Sequence, residues 1–161
     1  MNLKKVFISL VFVLAAMCMC AYAKTAELNI GSTDAAMMED SVIKDKILTA
    51  APYAKGGRTY VPVRFISEFF GADVKWVPSG NQVVIKNDNT EIVLRPGSRI
   101  ALVNGSETAI DAMPEIVNNT TMVPVRFVSE QLEYIVKYIP STKQVMITDM
   151  VPISSLNGEH V

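Results

Sequence analysis

A 62-residue self-similarity constrains this chain more than any other feature. Val61-Pro62-Val63-Arg64-Phe65 returns as Val123-Pro124-Val125-Arg126-Phe127, and Ser67-Glu68 returns as Ser129-Glu130. The register holds without a gap from Pro52/Pro114 to Ile85/Ile147, with 16 identities in the 35 positions of 52–86 against 114–148. A unit this small cannot bury a core alone and must pack on its copy. The expected fold is therefore α+β, with two tandem repeats (about 36–94 and 95–149) packed as one domain. Each repeat would contribute an antiparallel hairpin, a strand, a short helix and a second hairpin.

Within each copy the turn chemistry marks the elements. Leu28 and Ile30 alternate as in a short strand that Gly31-Ser32 ends. Asn104-Gly105 is a strong hairpin signal, because both turn positions need positive φ. Glu39-Asp40 is its expected, weaker counterpart, with about three extra residues before Pro52. Gly56-Gly57 and Asn118-Asn119 occupy equivalent positions, and both residue types tolerate left-handed backbone. Thr59-Tyr60-Val61 and Thr121-Met122-Val123 read as strands that end at a proline. Pro62 and Pro124 suit the first helical turn, where a missing N–H costs nothing. Phe65, Ile66, Phe69 and Phe70 then form one apolar helix face that Gly71 stops. In the second copy the face is Phe127, Val128 and Leu132; with Glu133 where glycine stood, that helix is expected to fray or run on. Arg64 and Glu68 lie one turn apart, as do Arg126 and Glu130, so each pair is placed for a surface ion pair. Val74–Val77 with Gln82–Ile85, and Val136–Ile139 with Gln144–Ile147, close each copy as hairpins. Glu91–Leu94 links the copies.

The first 23 residues stand apart. Lys4-Lys5 precede an apolar run from Val6 to Met19 broken only by Ser9, and Ala21-Tyr22-Ala23 is a small-x-small cleavage site. About 14 apolar residues are short of the roughly 20 a spanning helix needs. An uncleaved anchor is the weaker reading, and acylation at Cys18 or Cys20 is disfavoured by Met17 and Met19 where small residues would be required. The expectation is a signal peptide (1–23) removed after Ala23, a domain over 24–150, and a mobile tail over 151–161. Both cysteines would leave with the signal, so the mature chain would hold no thiol or disulfide. Losing Lys4 and Lys5 leaves 13 basic residues against 16 acidic ones, a net charge of −3. With no basic stripe, nucleic acid is not expected as a partner. The mature chain would not span a membrane.

Catalytic constellations are sparse. His160 is the only histidine, so neither a histidine-ligated copper nor a Ser-His-Asp or Cys-His arrangement is available. Phosphate-cradling glycine loops are also missing. Glu68 and Glu130 are the one repeated carboxylate pair that could serve general acid/base chemistry. Arginine one turn away makes a structural ion pair the simpler reading. The sequon matches at Asn104, Asn118 and Asn119 read as turns.

The residues Gly57-Arg58-Thr59-Tyr60-Val61-Pro62-Val63-Arg64-Phe65-Ile66-Ser67-Glu68, followed by Gly71-Ala72-Asp73-Val74-Lys75-Trp76, resemble the hallmark of the copper amine oxidase N-terminal-like (stalk) domain family. The second copy keeps Thr121 to Glu130 and departs at Glu133-Tyr134 and Tyr138. The resemblance covers roughly residues 36–149. It implies a secreted or surface module of Gram-positive bacteria with no general catalytic activity and no cofactor. On that basis Val61, Pro62, Arg64, Phe65, Glu68, Val123, Pro124, Arg126, Phe127 and Glu130 are structural motif residues. The expected function is a non-enzymatic, stalk-like module for binding or spacing at the cell envelope, with a cell-wall polymer or another envelope protein as partner. The alternative is a cell-wall glycan hydrolase using Glu68 and Glu130.

Overall fold

The computed structural model describes residues 24–149, so the signal, cleavage and tail expectations lie outside the described residues. The described chain is largely antiparallel sheet with two short helices. In order the strands are β1 (Thr25–Asn29), β2 (Asp34–Glu39), β3 (Val42–Ile47), β4 (Tyr53–Lys55) and β5 (Arg58–Pro62), followed by helix α1 (Val63–Phe69). Then come β6 (Asp73–Val77), β7 (Gln82–Lys86), β8 (Glu91–Leu94), β9 (Ile100–Val103), β10 (Ser106–Ala109), β11 (Glu115–Val117) and β12 (Thr120–Pro124). Helix α2 (Val125–Gln131), β13 (Tyr134–Ile139) and β14 (Gln144–Asp149) complete the described fold.

Three sheets result, with strand orders β13-β14-β1-β2-β3, β10-β9-β8-β7-β6 and β11-β12-β5-β4. The first sheet joins the two ends of the described chain. β1 pairs antiparallel with β14, Ala26 facing Ile147 and Leu28 facing Val145. The second sheet repeats that pairing with β8 on β7, where Ile92 faces Ile85 and Leu94 faces Val83. In the third, β5 pairs with β12 so that Val61 faces Val123, residues that are 62 apart in the chain. Helix α1 packs on β12 and β6, while α2 packs on β5 and β13. Each helix thus lies on a strand from the opposite half of the chain. One continuous core follows, containing Val61, Ile66, Val74 and Ile85 together with Val123, Val128, Leu132 and Ile147. A smaller cluster of Ala50, Tyr60 and Met122 sits beside it, where Tyr53 stacks on Tyr60 at 5.0 Å between ring centroids.

The turns follow from their residues. Gly56-Gly57 and Asn118-Asn119 all take positive φ, as the sequence implies. Asn104-Gly105 does the same, at φ 50° and 80°. The first hairpin turns one residue later than expected, at Asp40-Ser41 rather than Glu39-Asp40. The ladder sets the position: Glu39 pairs with Val42, which leaves Asp40 and Ser41 as the two turn residues at positive φ. Pro62 and Pro124 also sit one position earlier than expected. Each is the last residue of its strand and the N-cap of its helix, with ψ near 115° and no side-chain oxygen to cap with.

Helix α2 neither frays nor runs on. It is seven residues long, like α1, and the N–H of its C-cap Leu132 bonds the Val128 carbonyl as the N–H of Phe70 bonds that of Ile66. Gly71 follows α1 at φ 93°, its N–H bonding the Glu68 carbonyl at 3.0 Å. Glu133 takes the equivalent place at φ 61°. The β13–β14 ladder starts at the next residue and fixes the exit direction, which forces the left-handed backbone on a residue with a Cβ. Glu133→Gly is therefore expected to stabilise the fold by about 1 kcal/mol, read as a raised urea midpoint at constant m. An unchanged or lowered midpoint would show that the position carries no strain.

Candidate functional site

The repeated motif residues divide by depth. Val61, Pro62, Val123 and Pro124 are buried at the β5–β12 seam. Phe127 is buried and belongs to the core, while Phe65 is only half-buried against it. Arg64, Glu68, Arg126 and Glu130 are exposed. Arg64 Nη1 donates to Glu68 Oε1 at 3.0 Å, one helical turn on. No ion pair links Arg126 to Glu130, so that expectation holds in one copy only. An exposed pair at this spacing gains about 0.3–0.5 kcal/mol, which ordering two long side chains readily cancels.

Two clefts flank the seam, of about 410 and 310 Å³. The first is built from the start of α1 (Val63, Arg64), the β6–β7 hairpin (Val74, Trp76, Val83) and the β11–β12 turn (Ile116, Asn119, Thr120, Thr121). The second uses the start of α2 (Val125, Arg126), the β13–β14 hairpin (Val136, Tyr138, Val145) and the β4–β5 turn (Ala54, Gly57, Arg58, Thr59). Each of these residues is 62 positions from its counterpart in the other cleft. Trp76 and Tyr138 are 39% and 46% exposed, high for large aromatic side chains that have apolar neighbours available. Both volumes lie near the lower end of the roughly 300–1,000 Å³ typical of ligand pockets. No carboxylate lines either cleft.

The family model of the copper amine oxidase N-terminal domain matches residues 37–147. The chain belongs to that family. The family is one of non-catalytic modules, and its name raises the question of copper. The described residues of this member do not fit the metal. They include no histidine or cysteine, and no group of three or more histidine, cysteine, aspartate or glutamate side chains lies together among them. Among curated proteins no match was found. No helix among the described residues is long and apolar enough to cross a membrane.

Glu68 and Glu130, the carboxylates of the hydrolase alternative, are not gathered into one site. Neither lines the two equivalent clefts. A third groove, between α1 and β3, includes Glu68 beside Lys46 and Arg64 but does not reach Glu130.

The titratable group that sequence reasoning missed is Glu27. Strand alternation places it on the face of β1 away from Ala26 and Leu28, between Met146 and Ala36. It is nevertheless only 1% exposed. Gln144 Nε2 donates to its Oε1, and Oε2 has no partner. Burial pushes the carboxyl up to about 7, against the partial offset of the Gln144 hydrogen bond. The equivalent strand position in the second sheet is Val93, so nothing in the repeat flags a carboxyl there. Because the folded-state pKa is raised, the neutral acid favours folding. That contribution is complete below the unfolded value near 4.5 and is lost as pH rises through about 7. Glu27→Gln should match the wild type near pH 4 and exceed its stability at pH 8. The excess should be about 1–2 kcal/mol after allowance for solvent screening. Urea titrations of the full-length chain at both pH values measure it, and a constant difference across pH would rule out the raised pKa.

Proposed function

We propose that this protein is an exported, non-enzymatic module of two tandem repeats that binds or spaces components at the bacterial cell envelope, its signal segment removed after Ala23. The observation that carries this reading is the match of residues 37–147 to a non-catalytic domain family. The pairing of Val61 with Val123, the crossed packing of the helices and the duplicated clefts support the repeat architecture. The apolar run from Val6 to Met19 with Ala21-Tyr22-Ala23 behind it supports export. The exposure of Glu68 and Glu130 counts against the hydrolase alternative, because acid/base carboxylates act as a converging pair across one bond.

One experiment separates the readings. The protein is incubated with purified peptidoglycan, sedimented, and the supernatant analysed for released sugars and peptides. Co-sedimentation without product is the expected result. Product that disappears with Glu68→Gln would establish the hydrolase instead. Intact mass of the exported chain tests the processing site, and a lipid on Cys18 or Cys20 would refute it.

A further inference from the structure

We propose that the two clefts at the β5–β12 seam are equivalent sites for a saccharide that carries a carboxylate, so that one chain binds two such units. This deepens the envelope-binding reading above and rests on it. Each cleft presents the same chemistry. A flat aromatic side chain stands at the mouth (Trp76 or Tyr138), a guanidinium at the start of a helix (Arg64 or Arg126) and a threonine hydroxyl on the facing strand (Thr121 or Thr59). A pyranose ring has an apolar C–H face that covers an aromatic ring and a rim of hydroxyls that hydrogen-bond to side chains of this kind. The guanidinium adds a charge-assisted hydrogen bond to a carboxylate. No carboxylate lines either cleft, although Glu68 and Asp111, outside the lining, pair with the lining residues Arg64 and Arg58.

Exposure favours a ligand over mere duplication of a core position. Trp76, Ile116 and Tyr138 are large apolar side chains left partly in solvent along the clefts, which offers a ligand apolar surface to cover. The two sites differ in strength. Arg64 is already engaged by Glu68, and Arg58 in the second cleft is paired with Asp111. Among the described residues Arg126 has no carboxylate partner, so the second cleft should prefer anions more strongly.

Trp76 is the sole tryptophan of the chain, so its emission reports the first cleft directly. The full-length protein is titrated with the disaccharide N-acetylglucosaminyl-N-acetylmuramic acid, which carries a carboxylate, and with neutral N,N′-diacetylchitobiose. The expected results are a saturable emission shift, two disaccharides bound per chain by calorimetry, and roughly tenfold weaker binding of the neutral sugar. Trp76→Ala should halve the stoichiometry, and Arg126→Ala should weaken the remaining site. Both side chains are exposed, so each variant should fold, which far-UV circular dichroism checks. Equal affinity for the neutral sugar would overturn the ligand class, as would binding of an acidic tetrapeptide in its place. An unchanged stoichiometry in Trp76→Ala would overturn the site. Wall co-sedimentation separates this inference from the reading beneath it. If Trp76→Ala/Tyr138→Ala sediments like the wild type, the clefts are wrong and envelope binding stands. If the wild type stays in solution, envelope binding itself fails.

Discussion

Val123→Asp is expected to destabilise the whole domain by about 3–5 kcal/mol, a large share of the roughly 5–15 available to a domain of this size. Val123 is 1% exposed and faces Val61, itself 1% exposed, where the two halves of the chain pair. A carboxylate there would face an uncharged partner strand, since its register neighbours are Tyr60, Val61 and Pro62. It must either lose its hydration or take up a proton, and both routes oppose folding. Val61→Asp should cost a similar amount, because the two positions oppose one another. Ile116→Asp is the control. It lies on β11 of the same sheet but is 49% exposed, and its cost should stay within about 0.5 kcal/mol. Urea midpoints of the three variants decide the matter. A Val123→Asp protein with a near wild-type midpoint would mean that the seam is not part of the cooperative core.

How much of this was legible in the sequence depends on whether the signal is local. Asn104-Gly105, Gly56-Gly57 and Asn118-Asn119 announce their turns because positive φ is a property of those residues themselves. The apolar faces of α1 and α2 are legible for the same reason, from spacing alone. The Asp40-Ser41 turn is less so, as either side of a charged, glycine-free stretch can turn and the strand ladder makes the choice. The stop of α2 at Glu133 is not legible in the sequence, because the fixed exit strand overrides the missing glycine. Pairing of β1 with β14 has no local signature: it joins residues separated by most of the described chain.

The candidate site shows the same division. Trp76 and Tyr138 are visible in sequence as equivalent aromatics, and Arg64 and Arg126 as repeated cations. That they line two clefts is not visible, because each cleft draws its far wall from the other half of the chain. Glu27 is the extreme case. Alternation puts it on the face away from the core and implies solvent, whereas tertiary structure buries it beside Met146 and Gln144. The separation of Phe65 from Phe127 is of this kind as well, since sequence gives them identical settings and only the packed structure sets them at different depths.

That difference yields the second large effect. Phe127→Ala should cost about 3–5 kcal/mol, the usual range for truncating a buried phenylalanine with partial collapse of the cavity. Phe127 is 8% exposed and packs into the core that both halves share. Phe65→Ala should cost clearly less, about half as much, because that ring already meets solvent at the edge of the core. Yet both variants should loosen the same cooperative unit. Helix α2 rests on β5 and α1 on β12, and the Phe70 ring meets Tyr134 at 4.4 Å between centroids, so damage on one side removes support from the other. Hydrogen exchange on Phe127→Ala reads this out: residues 52–86 and 114–148 should lose protection together and by a similar factor. If 114–148 lost protection while 52–86 kept wild-type values, the halves would be independent beads that merely touch. Equal midpoints for the two phenylalanine variants would in turn contradict the difference in depth, and with it the reading that Phe127 is held by the shared core while Phe65 only borders it.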